Sequence, residues 1–201
     1  MKYNRLDSMS AEPEFPFRFT PRMRRRLSRR VVDMLLKALG EFPELTGQII
    51  TVGYTSAHLG SALVPLREEA AARLTIRLKV KKLTYNTIGH EFTHLLQGLS
   101  KIHFKAGKAS EAMPFGEKQC DIWTLARSPL FLDDPPTYIR LPRKLREDWP
   151  RYARSVRRLC IAALKKRKTH RLYMQWLEAK INELAKRPVE PKAGEQMGLP
   201  F

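Results

Sequence analysis

The chain has 201 residues, with 38 Lys and Arg against 20 Asp and Glu and a formal net charge of +18. That length accommodates one domain with a proper core and an appended helical region. No apolar stretch approaches a membrane span, Met1 to Ser10 lack the apolar core of a signal peptide, and two cysteines build no disulfide framework, so the composition points to a cytoplasmic protein.

In chain order, residues 1–19 read as an N-terminal extension. Thr20-Pro21 then supplies an N-cap and a first helical position. Leu27, Val31, Met34, Leu35 and Ala38 recur at helical spacing up to Gly40, which predicts one apolar-faced helix. Residues 48–54 are rich in β-branched side chains and predict a strand, and residues 61–64 predict a weaker one stopped by Pro65. Residues 74–81 alternate strictly between apolar and polar, so this strand should bury one face and leave the other basic. Thr84, Asn86 and Thr87 are candidate N-caps for a helix whose stripe is Ile88, Phe92, Leu95, Leu96 and Leu99, with Gly98 marking its expected end.

Inside that helix stands Gly89-His90-Glu91-Phe92-Thr93-His94, an H-E-x-x-H sequence. Residues four apart share a helix face, so His90 and His94 can direct two imidazoles at a single Zn2+. Glu91 is not needed as a ligand, and its carboxylate is free to take a proton from the water that the metal acidifies.

A catalytic zinc site has three protein ligands, so a third must be found. The extended pattern H-E-x-x-H-x-x-G-x-x-H fails, because positions 97 and 100 are Gln97 and Ser100. His103 remains, nine residues past His94 and beyond the expected helix end. The better candidate is Glu117, in a second helix that Ser128-Pro129 closes. Asp121 lies four residues on, where it can accept a hydrogen bond from the outer nitrogen of a ligating histidine and raise its basicity. Ile122, Leu125 and Ala126 occupy the opposite, inward face. Cys120 reads first as a small buried residue, with a metal contact as the lesser alternative.

H-E-x-x-H followed some twenty residues later by E-x-x-x-D resembles the gluzincin group of zinc metallopeptidases, and most of all its compact members, the minigluzincins. The likeness covers roughly residues 20–130. It implies an α+β domain that runs from a backing helix through a small, mostly antiparallel three-stranded sheet to the H-E-x-x-H helix and the glutamate helix. It also implies Glu117 as third ligand, Asp121 behind the metal ligands, and an edge strand that pairs with an extended peptide substrate.

Beyond residue 130, residues 131–147 read as a proline-rich connector. Residues 148–188 read as a basic helical region of two apolar-faced helices, one through Tyr152, Val156, Leu159, Cys160 and Ala163 and one through Leu172, Trp176, Leu177, Ile181 and Leu184. Residues 189–201 read as a loose tail. Basic charge concentrates on the flanks: residues 138–188 carry 16 Lys and Arg against 4 Asp and Glu, and Arg22, Arg24, Arg25, Arg26, Arg29 and Arg30 form a second cluster. Such runs attract nucleic acid or acidic partners, or else are solvated helix faces. The expected function is that of a zinc-dependent endopeptidase with Glu91 as general base. A nucleic-acid-associated protein, either a protease or a binder with a structural zinc, is the alternative.

Overall fold

Thr20 and Ser28 each cap a helix, and that pair of caps divides the first helical segment in two. In the computed structural model, which describes residues 15–67, 69 and 73–186, the Thr20 hydroxyl accepts from the Met23 amide to open α1, Pro21–Arg24. The Ser28 hydroxyl accepts from the Val31 amide to open α2, Arg29–Gly40. One continuous helix was expected; the serine offers the backbone a local partner that competes with helix continuation, and the chain breaks there. Val31, Met34, Leu35 and Ala38 are buried, as their spacing predicts. The expected tail at 189–201 and residues 1–14 of the expected extension lie outside the described residues.

The chain divides into two compact units, Met1–Gly116 and Glu117–Phe201. The first holds a four-stranded sheet of β1, Phe17–Phe19, β2, Ile50–Tyr54, β3, Gly60–Leu63, and β4, Leu74–Leu78, in the order β1-β2-β4-β3. β1 and β4 both run parallel to β2, and only β3 is antiparallel to its neighbour β4. The α+β class agrees with expectation, but the sheet has four strands and is mixed, where three mostly antiparallel ones were expected. Phe17-Arg18-Phe19 is too short to show an alternation, and the parallel course of β1 and β2 follows from the helical crossover through α1 and α2, which the pattern of a single strand does not carry. β4 ends at Leu78 although its alternation runs on to Lys81. Leu78 pairs with Tyr54 on one side and Gly60 on the other, so both neighbours run out at that residue.

The H-E-x-x-H helix, α3, spans Tyr85–Lys105 and packs along β3 and β4, with α2 against it. Thr84 is its N-cap, its hydroxyl accepting from the Thr87 amide at 3.2 Å. Phe92 anchors the packing, edge-on to Phe42 at 5.4 Å between centroids and stacked with Phe17 at 6.4 Å; such ring pairs each add about 1 kcal/mol beyond their buried area. The helix does not stop at Gly98. A Cβ built there would lie 2.5 Å from Pro65 Cδ and closer still to the Pro65 carbonyl, so this glycine serves close packing inside the helix.

In the second unit, α4, Glu117–Arg127, packs against α6, Trp149–Arg167, and α6 packs against α7, Tyr173–Lys186. A short helix, α5, Arg143–Glu147, leads into α6. Ile122 and Leu125 of α4 join Val156, Cys160, Leu177 and Ile181 in one buried cluster, the inward faces expected from their spacing; Trp149 joins them as well, whereas Leu172, expected in the last stripe, precedes α7 and is exposed. The Trp149 indole donates to the Leu132 carbonyl at 2.8 Å and ties the connector to this core. No helix among the described residues is long and apolar enough to cross a membrane.

Candidate metal centre

Four residues along α3 bring the rings of His90 and His94 together, as the helical period requires. Their centroids are 4.9 Å apart and their planes cross at 76°. His90 is buried and His94 half-buried. Thr93, fully buried between them in sequence, turns its hydroxyl back to the Gly89 carbonyl at 2.8 Å and so stays within the helix.

Glu91 is buried against the sheet. A Cβ built on Gly60, the first residue of β3, would lie 2.8 Å from both Cγ and Cδ of Glu91 and closer still to Oε1. The glutamate side chain therefore occupies the space that any larger residue at position 60 would fill, and it lies along edge strand β3.

Gln97, three residues past His94 and so on the same helix face, is fully buried. Its Oε1 lies 3.1 Å from His94 Nδ1, and its Nε2 donates to the carbonyls of Pro114 at 2.8 Å and Gly116 at 3.3 Å. One turn on, the Ser100 hydroxyl accepts from the Met113 amide at 2.8 Å. The two residues that break the longer histidine pattern thus hold residues 113–116, the segment that ends the first unit. Sequence reasoning set both aside. The signal for Gln97 was its place one turn beyond His94; for Ser100 there was none.

His103 lies on α3 with His94, since the helix continues past Gly98. Nine residues is about two and a half turns, which puts His103 on the opposite side of the helix, and it is exposed. The expectation that Gly98 ends the helix is corrected, and with it the loop placement that kept His103 a candidate.

In the second unit, Glu117 and Asp121 lie on α4 four residues apart. Glu117 is exposed in the first turn, where a carboxylate also suits the partial positive charge of a helix N-terminus. Asp121 is 1% exposed, and its Oδ2 accepts from the amides of Tyr138 at 2.6 Å and Ile139 at 2.9 Å. Gln119, between them, accepts from the Tyr173 hydroxyl and donates to Met174 Sδ at 2.9 Å, so it ties α4 to the start of α7. Cys120 is fully buried.

Among the described residues, His90 and His94 of the first unit offer two imidazole donors for a metal ion, and Cys120 of the second unit offers a thiol. Two imidazoles with a thiolate or carboxylate are the donors zinc takes in proteins, and the donor chemistry therefore fits that ion. No protein family, curated protein or solved structure matches this chain.

Proposed function

We propose that the protein is a zinc-dependent endopeptidase. The observation that carries this reading is the pairing of His90 and His94 on one face of α3 with a buried glutamate, Glu91, packed against Gly60 of edge strand β3. A purely structural metal site has no use for such a carboxylate. Glu117 is the proposed third ligand, with Cys120 the alternative donor on the same helix and Asp121 the residue that supports a ligating ring. Zinc, when bound, supplies a localised positive charge that polarises a peptide carbonyl and acidifies water.

The chain's own residues supply the rest. An extended substrate adds to the outer side of β3, the edge strand among the described residues, where backbone hydrogen bonds align it irrespective of its side chains. Glu91 takes the proton from the attacking water and returns it to the leaving amine, a contribution of about 10²- to 10⁴-fold. Zinc content and cleavage of a denatured protein, compared between the wild type and Glu91→Ala, test the reading. The variant is expected to keep its zinc and lose cleavage, and chelation should abolish wild-type cleavage until zinc is restored. Wild-type protein that binds zinc and cleaves nothing would sink it.

A second reading, association with nucleic acid, draws on a different observation. Arg22, Arg24, Arg25, Arg26, Arg29 and Arg30 are all exposed on or beside α1 and α2, and Arg154, Arg158, Lys165 and Lys168 are exposed along and just past α6.

A further inference from the structure

The orientation of the Gln97 amide decides which nitrogen of His94 carries a proton. Its nitrogen faces two carbonyls, those of Pro114 and Gly116, and carbonyls only accept. The amide NH2 must therefore point to them, which turns Oε1 toward His94 Nδ1. An amide oxygen also only accepts, so Nδ1 must be the protonated nitrogen. The lone pair of the neutral ring then sits on Nε2, the nitrogen that a metal can take. A side chain with no exposed surface and three hydrogen bonds has little freedom to reverse this arrangement.

We infer that Gln97 is a positioning residue with two simultaneous tasks: it holds His94 in its Nδ1–H form, with Nε2 presented to the metal, and it ties down the chain at Pro114 and Gly116. Ser100 completes the second task by taking the Met113 amide. Residues 113–116 are thus latched to α3 at three backbone groups just ahead of Glu117, through the helix that carries His94. Gly116 suits the end of such a latch, since its φ of +117° is one that a side chain would strain. The inference deepens the zinc reading and rests on His94 being a ligand; the hydrogen-bond logic itself does not need the metal.

The test uses the full chain labelled uniformly with 15N, metal-free and near pH 8, where ordinary imidazole is neutral. Long-range proton–nitrogen spectra, with His94 assigned by its loss in His94→Asn, should show wild-type His94 as the Nδ1–H tautomer. Gln97→Glu keeps an acceptor for His94 but loses both donors, so His94 should stay Nδ1–H while the Met113 amide exchanges faster. Ser100→Ala should likewise speed exchange at Met113 and leave the tautomer alone. Gln97→Leu should yield a tautomer mixture and, in competition with a chromophoric chelator, zinc affinity lowered about 10- to 100-fold. An Nε2–H tautomer in the wild type, or native zinc affinity in Gln97→Leu, would overturn the inference. A wild type that shows the Nδ1–H tautomer yet binds no zinc would sink the metallopeptidase reading and the metal-directed half of the inference, leaving the coupling of Gln97 to His94 established.

Discussion

Two glycines contact their neighbours in opposite ways, and single alanine substitutions should separate catalysis from stability. At Gly60 the obstructing atoms belong to the outer part of the Glu91 side chain, which can swing away. On the endopeptidase proposal, Gly60→Ala should therefore fold and retain zinc but displace Glu91, the proposed general base, with kcat reduced by at least about tenfold, toward the loss seen on removing a general base outright. Steady-state cleavage with parallel zinc analysis checks this, and unchanged kcat would mean that Glu91 does not act from beside β3. Two further residues set a pH dependence. Burial, and secondarily the Asp121 carboxylate, push the Cys160 thiol up; burial also pushes the Tyr173 hydroxyl up, against the opposing effects of its bond to Gln119 and of Arg167. Both groups stay protonated in the folded chain where they would ionise in the unfolded one. The stability tied to Cys160 is present below the ordinary thiol value of 9.0 and is lost as the pH climbs above it, while that tied to Tyr173 is lost only above the ordinary phenol value of 10.0. Denaturant midpoints should fall from about pH 9 upward, and Cys160→Ala should make that fall shallower. At this scale the sequence was most informative for groups that meet within one helix: the spacing of His90, Glu91 and His94 contains their geometry. Gln97 and Gly60 were illegible because their partners, the 113–116 backbone and the Glu91 side chain, come together only after the chain has folded.

Among the elements, α3 has the most demanding fit. Gly98→Ala would add a helix-favouring residue, worth about 1 kcal/mol in an exposed helix. Here the new methyl meets the Pro65 backbone and ring, which cannot rotate aside. Overpacking of that kind costs about 1–3 kcal/mol, so a net loss is expected, read as a lower denaturant midpoint with an unchanged slope. An increased midpoint would show that Pro65 can give way. The contrast also explains what could be read of the elements. Apolar stripes place α2, α3, α6 and α7 correctly because burial of one face drives each. The break at Ser28 and the continuation through Gly98 turn on a single hydrogen bond and a single close approach, in each case against the usual habit of the residue type. Sheet topology depends on what each strand meets, and β1, only Phe17 to Phe19, carries too little pattern to be found alone.

On the scale of the whole molecule, charge is shared more evenly than the basic clusters suggest. Each compact unit carries 19 Lys and Arg against 10 Asp and Glu, counted over Met1–Gly116 and Glu117–Phe201. Among the described residues the tight pairs Lys118–Glu178, Arg143–Glu147 and Lys180–Glu183 lie at 2.6–2.7 Å. The pair Arg29–Asp33 is 3.9 Å apart on exposed side chains, and such contacts add little. If the exposed arginines of α1, α2 and α6 meet phosphate, affinity for a short DNA or RNA duplex should fall by about 10³- to 10⁵-fold between 50 and 200 mM salt, given six to ten contacts. A weak, nearly flat response would identify them as solvated faces, and the endopeptidase reading would be unaffected. The unbroken course of α3 has a further consequence. At 1.5 Å per residue its 21 residues make a rod of about 30 Å, with the two histidines in its first half and Ser100 in its second. A helix without an internal break opens and closes cooperatively, so an ion held by the two histidines would lend its binding free energy to the hydrogen bonds that Gln97 and Ser100 make one to three turns further on. A bound metal would then also set how long the latched segment beyond α3 survives proteolysis.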